Sequence, residues 1–198
     1  RADEFRRRVN LPPDGVRGIG VIKTHHGAIG DSTDLLPSPR RSFSDWYRAE
    51  YHQVVALVYV LSGSRWAAEE LAQDAFTEAH RRWETIGDYD DPGAWVRKVA
   101  VNKARSWGRR RGAEARAYAK HTVRHRELPA ELPESADEFW SVVRRLPERQ
   151  AQIVALHYLD DRPVDDIAGL LGIAAGTVKT QLHRARATLA TRFRLDDD

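Results

Sequence analysis

The feature that most restricts the fold is a pair of helical patterns separated by one glycine near the C-terminus. Apolar residues repeat at helical spacing on both sides of Gly172. A sharp turn between helices commonly needs a residue that tolerates positive φ, and Gly172 lies where the first helix must stop. The apolar residues are Ile167, Ala168, Leu170 and Leu171 before the turn and Val178, Leu182, Ala185 and Leu189 after it. The spacing predicts a helix-turn-helix motif.

The second helix of this motif carries charge of one sign. Residues 177–194 contain no acid but include Lys179, Arg184, Arg186, Arg192 and Arg194. When Val178 points inward, Lys179, Thr180, His183 and Arg184 point outward. Such a face fits the major groove, where side chains contact base edges and nearby cations hold phosphates. An arginine-rich helix can also serve solubility alone, but the complete arrangement favours DNA binding.

The N-terminal half shows three more amphipathic helical patterns between residues 44 and 107. They are interrupted at Gly63 and Ser64 and again at residues 87–91. Ser44 is predicted to cap the first helix, and Pro92 suits the first turn of the third. Three apolar stripes of this kind can enclose a small core. Two further helices are predicted ahead of the helix-turn-helix motif, from Phe139 onward.

A reversal of charge divides the chain into two modules. Residues 103–126 contain nine lysines and arginines and one acid, Glu114, whereas residues 127–138 are acidic and contain Pro129 and Pro133. The second composition is typical of a solvated linker. We predict an irregular extension over residues 1–40, helical modules over 41–112 and 139–198, and a flexible linker over 113–138. The predicted fold is therefore all-α, with two small helical domains.

Composition excludes several other classes of protein. None of the 198 residues is cysteine, so disulfides and thiolate metal or redox sites are excluded. The longest apolar run, residues 54–61, is far shorter than the roughly 20 residues that span a bilayer. His25 and His26 lack recognisable metal-ligand spacing. No phosphate-binding glycine loop or nucleophile motif occurs, so we expect no cofactor, no metal and no enzymatic activity.

The sequence resembles the sigma-70 family of bacterial RNA polymerase initiation factors, in particular the extracytoplasmic-function (ECF) group, over about residues 43–194. In the C-terminal module the resemblance to the fourth conserved region rests on LPERQ at 146–150, DIA at 166–168, LG at 171–172, GTVKT at 176–180 and RAR at 184–186. In the N-terminal module the resemblance to the second region rests on AEELAQDAF at 68–76, AWV at 94–96 and VN at 101–102. Two independent matches in the right order make the resemblance specific.

The resemblance implies a division of labour between the modules. The second region would bind the clamp helices of the largest polymerase subunit and open the −10 element, and the fourth would read duplex −35 DNA and contact the polymerase flap. The polymerase-facing residues implied are Glu70, Gln73, Asp74 and Phe76, although the spacing of Phe76 also fits the core. The −35 residues implied are Thr177, Lys179, Thr180, His183, Arg184 and Arg186.

On the −10 side, Asn102 matches the position that helps relatives capture a flipped base, because its amide can both donate and accept hydrogen bonds. Arg97, Lys98, Lys103 and Arg105 would then hold strand phosphates, with Trp107 as a stacking surface. The chain departs from the family at Arg97, where an aromatic is common, and at Ser106, where an acid is common. Both departures bear on the base preference and on the local DNA contacts.

Two other interpretations of the sequence compete with that of a sigma factor. An autonomous helix-turn-helix regulator would explain the C-terminal half but gives no role to residues 70–76 and the basic helix around Asn102. An enzyme is the less favoured alternative. The resemblance further implies an anti-sigma factor as a partner. Because the longest apolar run is too short for a membrane span and the absence of cysteine is compatible with a reducing cytoplasm, we expect no membrane contact and a cytoplasmic location.

Overall fold

The computed structural model describes residues 42–118 and 134–195, with side chains described for 42–112 and 138–193. Within these ranges the chain forms helices and no strand, which confirms the all-α prediction. The helices are α1 (Phe43–Ser62), α2 (Arg65–Arg81), α3 (Trp83–Ile86), α4 (Pro92–Tyr118), α5 (Glu134–Val143), α6 (Glu148–Tyr158), α7 (Val164–Leu171) and α8 (Ala175–Leu195). The predicted extension over 1–40 lies outside the described residues.

Helices α1, α2 and α4 pack together as the N-terminal module. The predicted break between the first two helices is confirmed, since Gly63 ends α1 in the left-handed region at φ 69°. Ser64 then caps α2, and its hydroxyl accepts a hydrogen bond from the backbone N–H of Ala67 at 3.3 Å. The predicted cap at Ser44 is wrong, because α1 begins at Phe43 and Ser42, two residues before Ser44, occupies the N-cap position.

Helix α4 begins at Pro92, as predicted, because proline suits a first helical turn. The Asp91 carboxylate accepts a hydrogen bond from the backbone N–H of Ala94 at 2.8 Å and so caps the helix. The linker predicted over 113–138 is too long at both ends. Helix α4 continues to Tyr118 and α5 begins at Glu134.

Helices α6, α7 and α8 form the C-terminal module, with α5 packed against α8. Gly172 ends α7 at φ 64°, in the conformation that the sequence predicted for the turn. The predicted inner face of α8 is confirmed, because Val178, Leu182, Ala185 and Leu189 are all buried. The structure therefore contains the helix-turn-helix expected from the spacing of apolar residues.

The two modules also contact each other in this structure. Helix α1 touches α5 and α6, and α4 touches α7. Lys179, Arg184 and Asn102 nevertheless stay exposed, so this contact leaves these three predicted DNA-reading side chains accessible. Within the described residues, no helix has the length and apolar character needed to cross a membrane.

Candidate nucleic-acid and polymerase interface

The outer face of α8 presents most of the side chains predicted to read duplex DNA. The exposed members of the predicted set are Thr177, Lys179, Thr180, His183 and Arg184. The Thr180 hydroxyl donates to the backbone carbonyl of Gly176 at 2.9 Å, so it can still accept a hydrogen bond from outside. This face offers two cations together with hydrogen-bonding groups that match base edges.

Arg186 departs from the predicted outer face. Its Nε donates to the Tyr158 hydroxyl at 2.7 Å, and its guanidinium lies 5.7 Å from the centre of that ring. Its Nη2 lies 3.4 Å from Nε2 of His157. Because these contacts tie the half-buried guanidinium to α6, Arg186 supports the position of α8 in this structure and does not extend the exposed face.

A second candidate surface runs along α4 and the adjacent side of α2. Lys98 and Asn102 are exposed, and Lys103 is partly exposed. The Lys103 ammonium lies 3.4 Å from the Asp74 carboxylate across the two helices. An open groove of about 470 Å³ lies here, lined by Leu71, Asp74, Glu78, Val99, Asn102, Lys103, Ser106 and Arg110. The groove brings Asn102 and Lys103, from the predicted −10 set, beside Asp74 from the predicted polymerase set.

Trp107 lies on the same helix as this groove and is half-buried. Part of the indole packs against the core. Its ring lies 5.2 Å from the guanidinium carbon of Arg111, within the range of a cation–π contact. Stacking by Trp107 on a base stays a prediction, and a base would share the ring with Arg111.

Arg97 is buried, contrary to its predicted role as a phosphate contact. Only 3% of the residue is exposed. Its Nε donates to both carboxylate oxygens of Asp160, at 2.7 and 2.9 Å, while Nη1 donates to Glu50 at 2.6 Å and Nη2 to Gln53 at 2.8 Å. Burial disfavours the charged guanidinium, but Asp160 and Glu50 outweigh it and raise the pKa of Arg97. In this arrangement Arg97 cannot reach a DNA strand.

Two further ion pairs join the modules around Arg97. Arg162 donates to Asp91 and also, at 3.2 Å, to Asp160. Partial burial disfavours the ionised form of Asp91, but the hydrogen bonds from Arg162 and the Ala94 amide outweigh it and lower its pKa. Arg105, predicted to hold a phosphate, forms an ion pair with Glu148 at the start of α6.

The outer face of α2 carries the residues predicted to meet polymerase. Glu70, Gln73 and Asp74 are exposed, as a protein interface requires. Phe76 is 2% exposed and packs among Trp46, Tyr47 and Tyr51. Direct contact between Phe76 and polymerase is therefore not available in this structure, and the ring belongs to the core that its spacing also allowed.

Sequence reasoning missed Glu50, Asp160 and Glu148 as partners of the predicted DNA-binding arginines. Asp160 lies 63 positions from Arg97 along the chain, and no periodicity links two residues so far apart. The one available signal was the unusual arginine at position 97, since an arginine in a place that suits an aromatic needs acidic partners once it is buried.

Comparisons with known proteins agree with this two-module structure. A family model described as Sigma-70 region 2 matches residues 46–114, and one described as Sigma-70, region 4 matches residues 136–189. The RNA polymerase sigma-E factor of Streptomyces coelicolor is 34% identical over 134 residues, which cover 62% of this chain and 69% of that protein. The ECF RNA polymerase sigma factor SigM of Mycobacterium tuberculosis is 30% identical over 152 residues, or 76% of each chain.

A solved structure has the same fold. It is the sigma factor RpoE in complex with the anti-sigma factor NepR from Bartonella quintana, with a TM-score of 0.65, 23% identity and coverage of 78% of this chain and 98% of that one. Sequence and fold together define this class of protein as an RNA polymerase sigma factor, and the autonomous regulator is not favoured. The chain belongs to the sigma-70 family, in its ECF group.

Proposed function

We propose that the chain brings core RNA polymerase to promoters by reading −35 DNA with α8 and holding the opened −10 strand along α4. The observation that carries the first part is the exposed face of α8, which groups Lys179, His183 and Arg184 on a helix whose opposite side is buried. A helix presented in this way can enter the major groove of intact DNA.

The groove beside Asn102 supports the second part. An exposed amide can pair with the edge of an unstacked base, and Lys98 and Lys103 supply positive charge for neighbouring phosphates. Holding unpaired bases favours the melted state of the promoter by binding alone, without a covalent step. The chain would work in the cytoplasm, where it meets polymerase and the chromosome.

Polymerase binding is proposed for the outer face of α2, through Glu70, Gln73 and Asp74, with the clamp helices of the largest subunit as the partner. The test is co-elution of the purified chain with core polymerase on size exclusion. Gln73→Ala is expected to weaken co-elution. Ser42→Ala, an exposed substitution at the far end of α1, provides the control and should bind like the unsubstituted chain. Failure of the unsubstituted chain to co-elute at low and moderate salt would favour an autonomous DNA-binding regulator.

Arg184 is proposed to read a base of the −35 element. Arg184→Ala should weaken binding to matched −35 DNA by about 1 to 3 kcal/mol if the guanidinium makes a bidentate base contact. Arg192→Ala, an exposed arginine two turns further along α8, is the matched control for loss of one positive charge. If Arg184→Ala lost the same binding affinity on matched and on scrambled DNA, Arg184 would contact only phosphates and would not read a base.

An anti-sigma factor is proposed as a further partner. The solved relative is bound to such a protein, and this chain has exposed surfaces on α2 and α8 that a partner could cover.

The polymerase flap is the proposed contact of the C-terminal module.

A further inference from the structure

We propose that Gln181 on α8 is a further base-reading residue of the −35 contact, and that Gln150 on α6 positions its amide with Nε2 facing the DNA. The inference rests on the proposed function of α8. It deepens that function by naming the base edge that this position accepts, one that carries hydrogen-bond acceptors, as guanine does.

Gln181 lies at the border of the exposed face of α8. It stands four positions after Thr177 and three before Arg184, so the three side chains share one side of the helix. Thr177 and Arg184 are exposed, and Gln181 is half-buried. All three belong to the N-terminal half of α8, which is the part of a recognition helix that contacts base edges. Gln181 is therefore within reach of both α6 and the major groove.

A hydrogen bond from α6 holds the amide of Gln181. Nε2 of Gln150 donates to Oε1 of Gln181 at 3.2 Å, across 31 positions of the chain. The planar amide of glutamine carries its oxygen and its nitrogen on separate branches. Because the oxygen is engaged on the protein side, Nε2 of Gln181 is the branch left for an outside partner. Within the described residues it donates to no other group.

Gln150 is an unusual residue for the place that it occupies. It is 8% exposed, and its Oε1 is buried without a hydrogen-bond partner among the described residues. Burial of an unpaired amide oxygen is unfavourable, and a leucine of similar size would avoid it. Packing alone therefore does not account for a glutamine here. The contact that its polar end makes in the described part of the chain is the one with Gln181.

An amide that presents Nε2 discriminates between bases in the major groove. Guanine offers two acceptors there, N7 and O6, whereas cytosine offers only the N4 donor. A free glutamine would instead pair with adenine through both branches of its amide. The hydrogen bond from Gln150 disfavours that arrangement, because it keeps Oε1 of Gln181 on the protein side. The position is thus matched to guanine and opposed to cytosine.

The test is run-off transcription by the chain with core polymerase on a promoter library randomised over the −35 element. In Gln181→Glu the carboxylate can still accept from Gln150, but its outward group accepts where the amide donated. We expect the preferred base at one −35 position to change from guanine to cytosine by about tenfold. The other positions should keep their preferences.

Thr191→Glu is the matched control for the added negative charge. Thr191 is exposed on the same helix and lies ten positions beyond Gln181. This variant should weaken all promoters alike and leave every base preference unchanged. If the folded Gln181→Glu chain also kept the base preference of the unsubstituted chain at every −35 position, the proposal would be overturned.

Gln150→Leu separates positioning from simple attachment of α6 to α8. Removing the buried amide should leave the midpoint of thermal unfolding equal or higher, because the unpaired oxygen is lost with it. The preference for guanine should nevertheless fall several-fold, since the Gln181 amide can then turn either way. A lower midpoint with unchanged base preferences would make the pair a fastening between helices and overturn the positioning role.

The library also separates this inference from the proposed function. Absence of any −35 preference with the unsubstituted chain would count against −35 reading by α8 as a whole. A −35 preference that is unaffected by both glutamine variants would count only against Gln181 and Gln150. Circular dichroism on each variant establishes that the helices are retained.

Discussion

Phe76 and Gln73 stand three positions apart on α2 and have opposite tasks. The ring of Phe76 packs in the aromatic cluster of the N-terminal module, while Gln73 faces solvent. Phe76→Ala should lower the free energy of unfolding by about 3 to 5 kcal/mol, because it leaves a cavity where an aromatic ring was buried. Urea denaturation followed by circular dichroism measures the change.

Gln73→Ala is the matched control for that substitution. It should change the free energy of unfolding by no more than about 0.5 kcal/mol, as exposed substitutions usually do. A small loss of stability in Phe76→Ala, similar to that in Gln73→Ala, would contradict the assignment of Phe76 to the core.

Arg97 illustrates what sequence can and cannot provide at this scale. Its position within a basic helix favoured contact with DNA, and the local pattern offered no competing partner. The partners Glu50 and Asp160 come from other helices, and only the tertiary structure brings them to the guanidinium. Asn102 is the opposite case. Its local motif alone implied a role in DNA binding, and its side chain is exposed, which agrees with that role.

At the scale of the element, the turn between α7 and α8 depends on the conformation of Gly172. Its φ of 64° is unfavourable for any residue with a Cβ atom, and an added Cβ would meet no other atom within 4 Å. Gly172→Ala should therefore destabilise the C-terminal module by about 1 kcal/mol through backbone strain alone. Thermal unfolding reports the change.

Gly169→Ala supplies the control within the neighbouring helix. Gly169 lies inside α7 with open space around the site of a Cβ, so alanine should stabilise the helix by up to about 1 kcal/mol. A stabilising effect of alanine at both positions would show that the left-handed conformation does not limit this turn.

The N-cap of α2 provides an independent prediction. Ser64 accepts a hydrogen bond from the Ala67 amide, whereas the Ser42 side chain makes no such bond at the start of α1. Ser64→Ala should cost about 0.5 to 2 kcal/mol, and Ser42→Ala should cost clearly less in the same urea titration. Equal losses for the two serines would contradict the capping role of Ser64.

The elements themselves were largely predictable from sequence. The repeat of Val178, Leu182, Ala185 and Leu189 fixed the inner face of α8, and the Gly63–Ser64 pair marked the end of α1. Helix ends were less predictable. Helix α4 runs on to Tyr118, since residues 113–118, which were assigned to the linker, are mostly alanine, glutamate and arginine, all good helix formers.

At the scale of the whole molecule, the arrangement of the modules could not be predicted. Helical periodicity reports which face of a helix is buried but not which distant surface covers it. The contacts of α4 with α7 and of α1 with α6 bury charged residues that a sequence pattern would assign to solvent. The charge reversal near residue 127 located two modules, and their docking is a property of the folded chain.

The central claim is that this chain directs core RNA polymerase to two-part promoters. The most direct measurement is run-off transcription with purified core polymerase on a library of randomised promoters. The account predicts transcripts that require the chain and share one −35 and one −10 element, with Arg184→Ala weakening selection of the −35 element and Asn102→Ala that of the −10 element. Transcript levels equal to those of core polymerase alone across the library would contradict it.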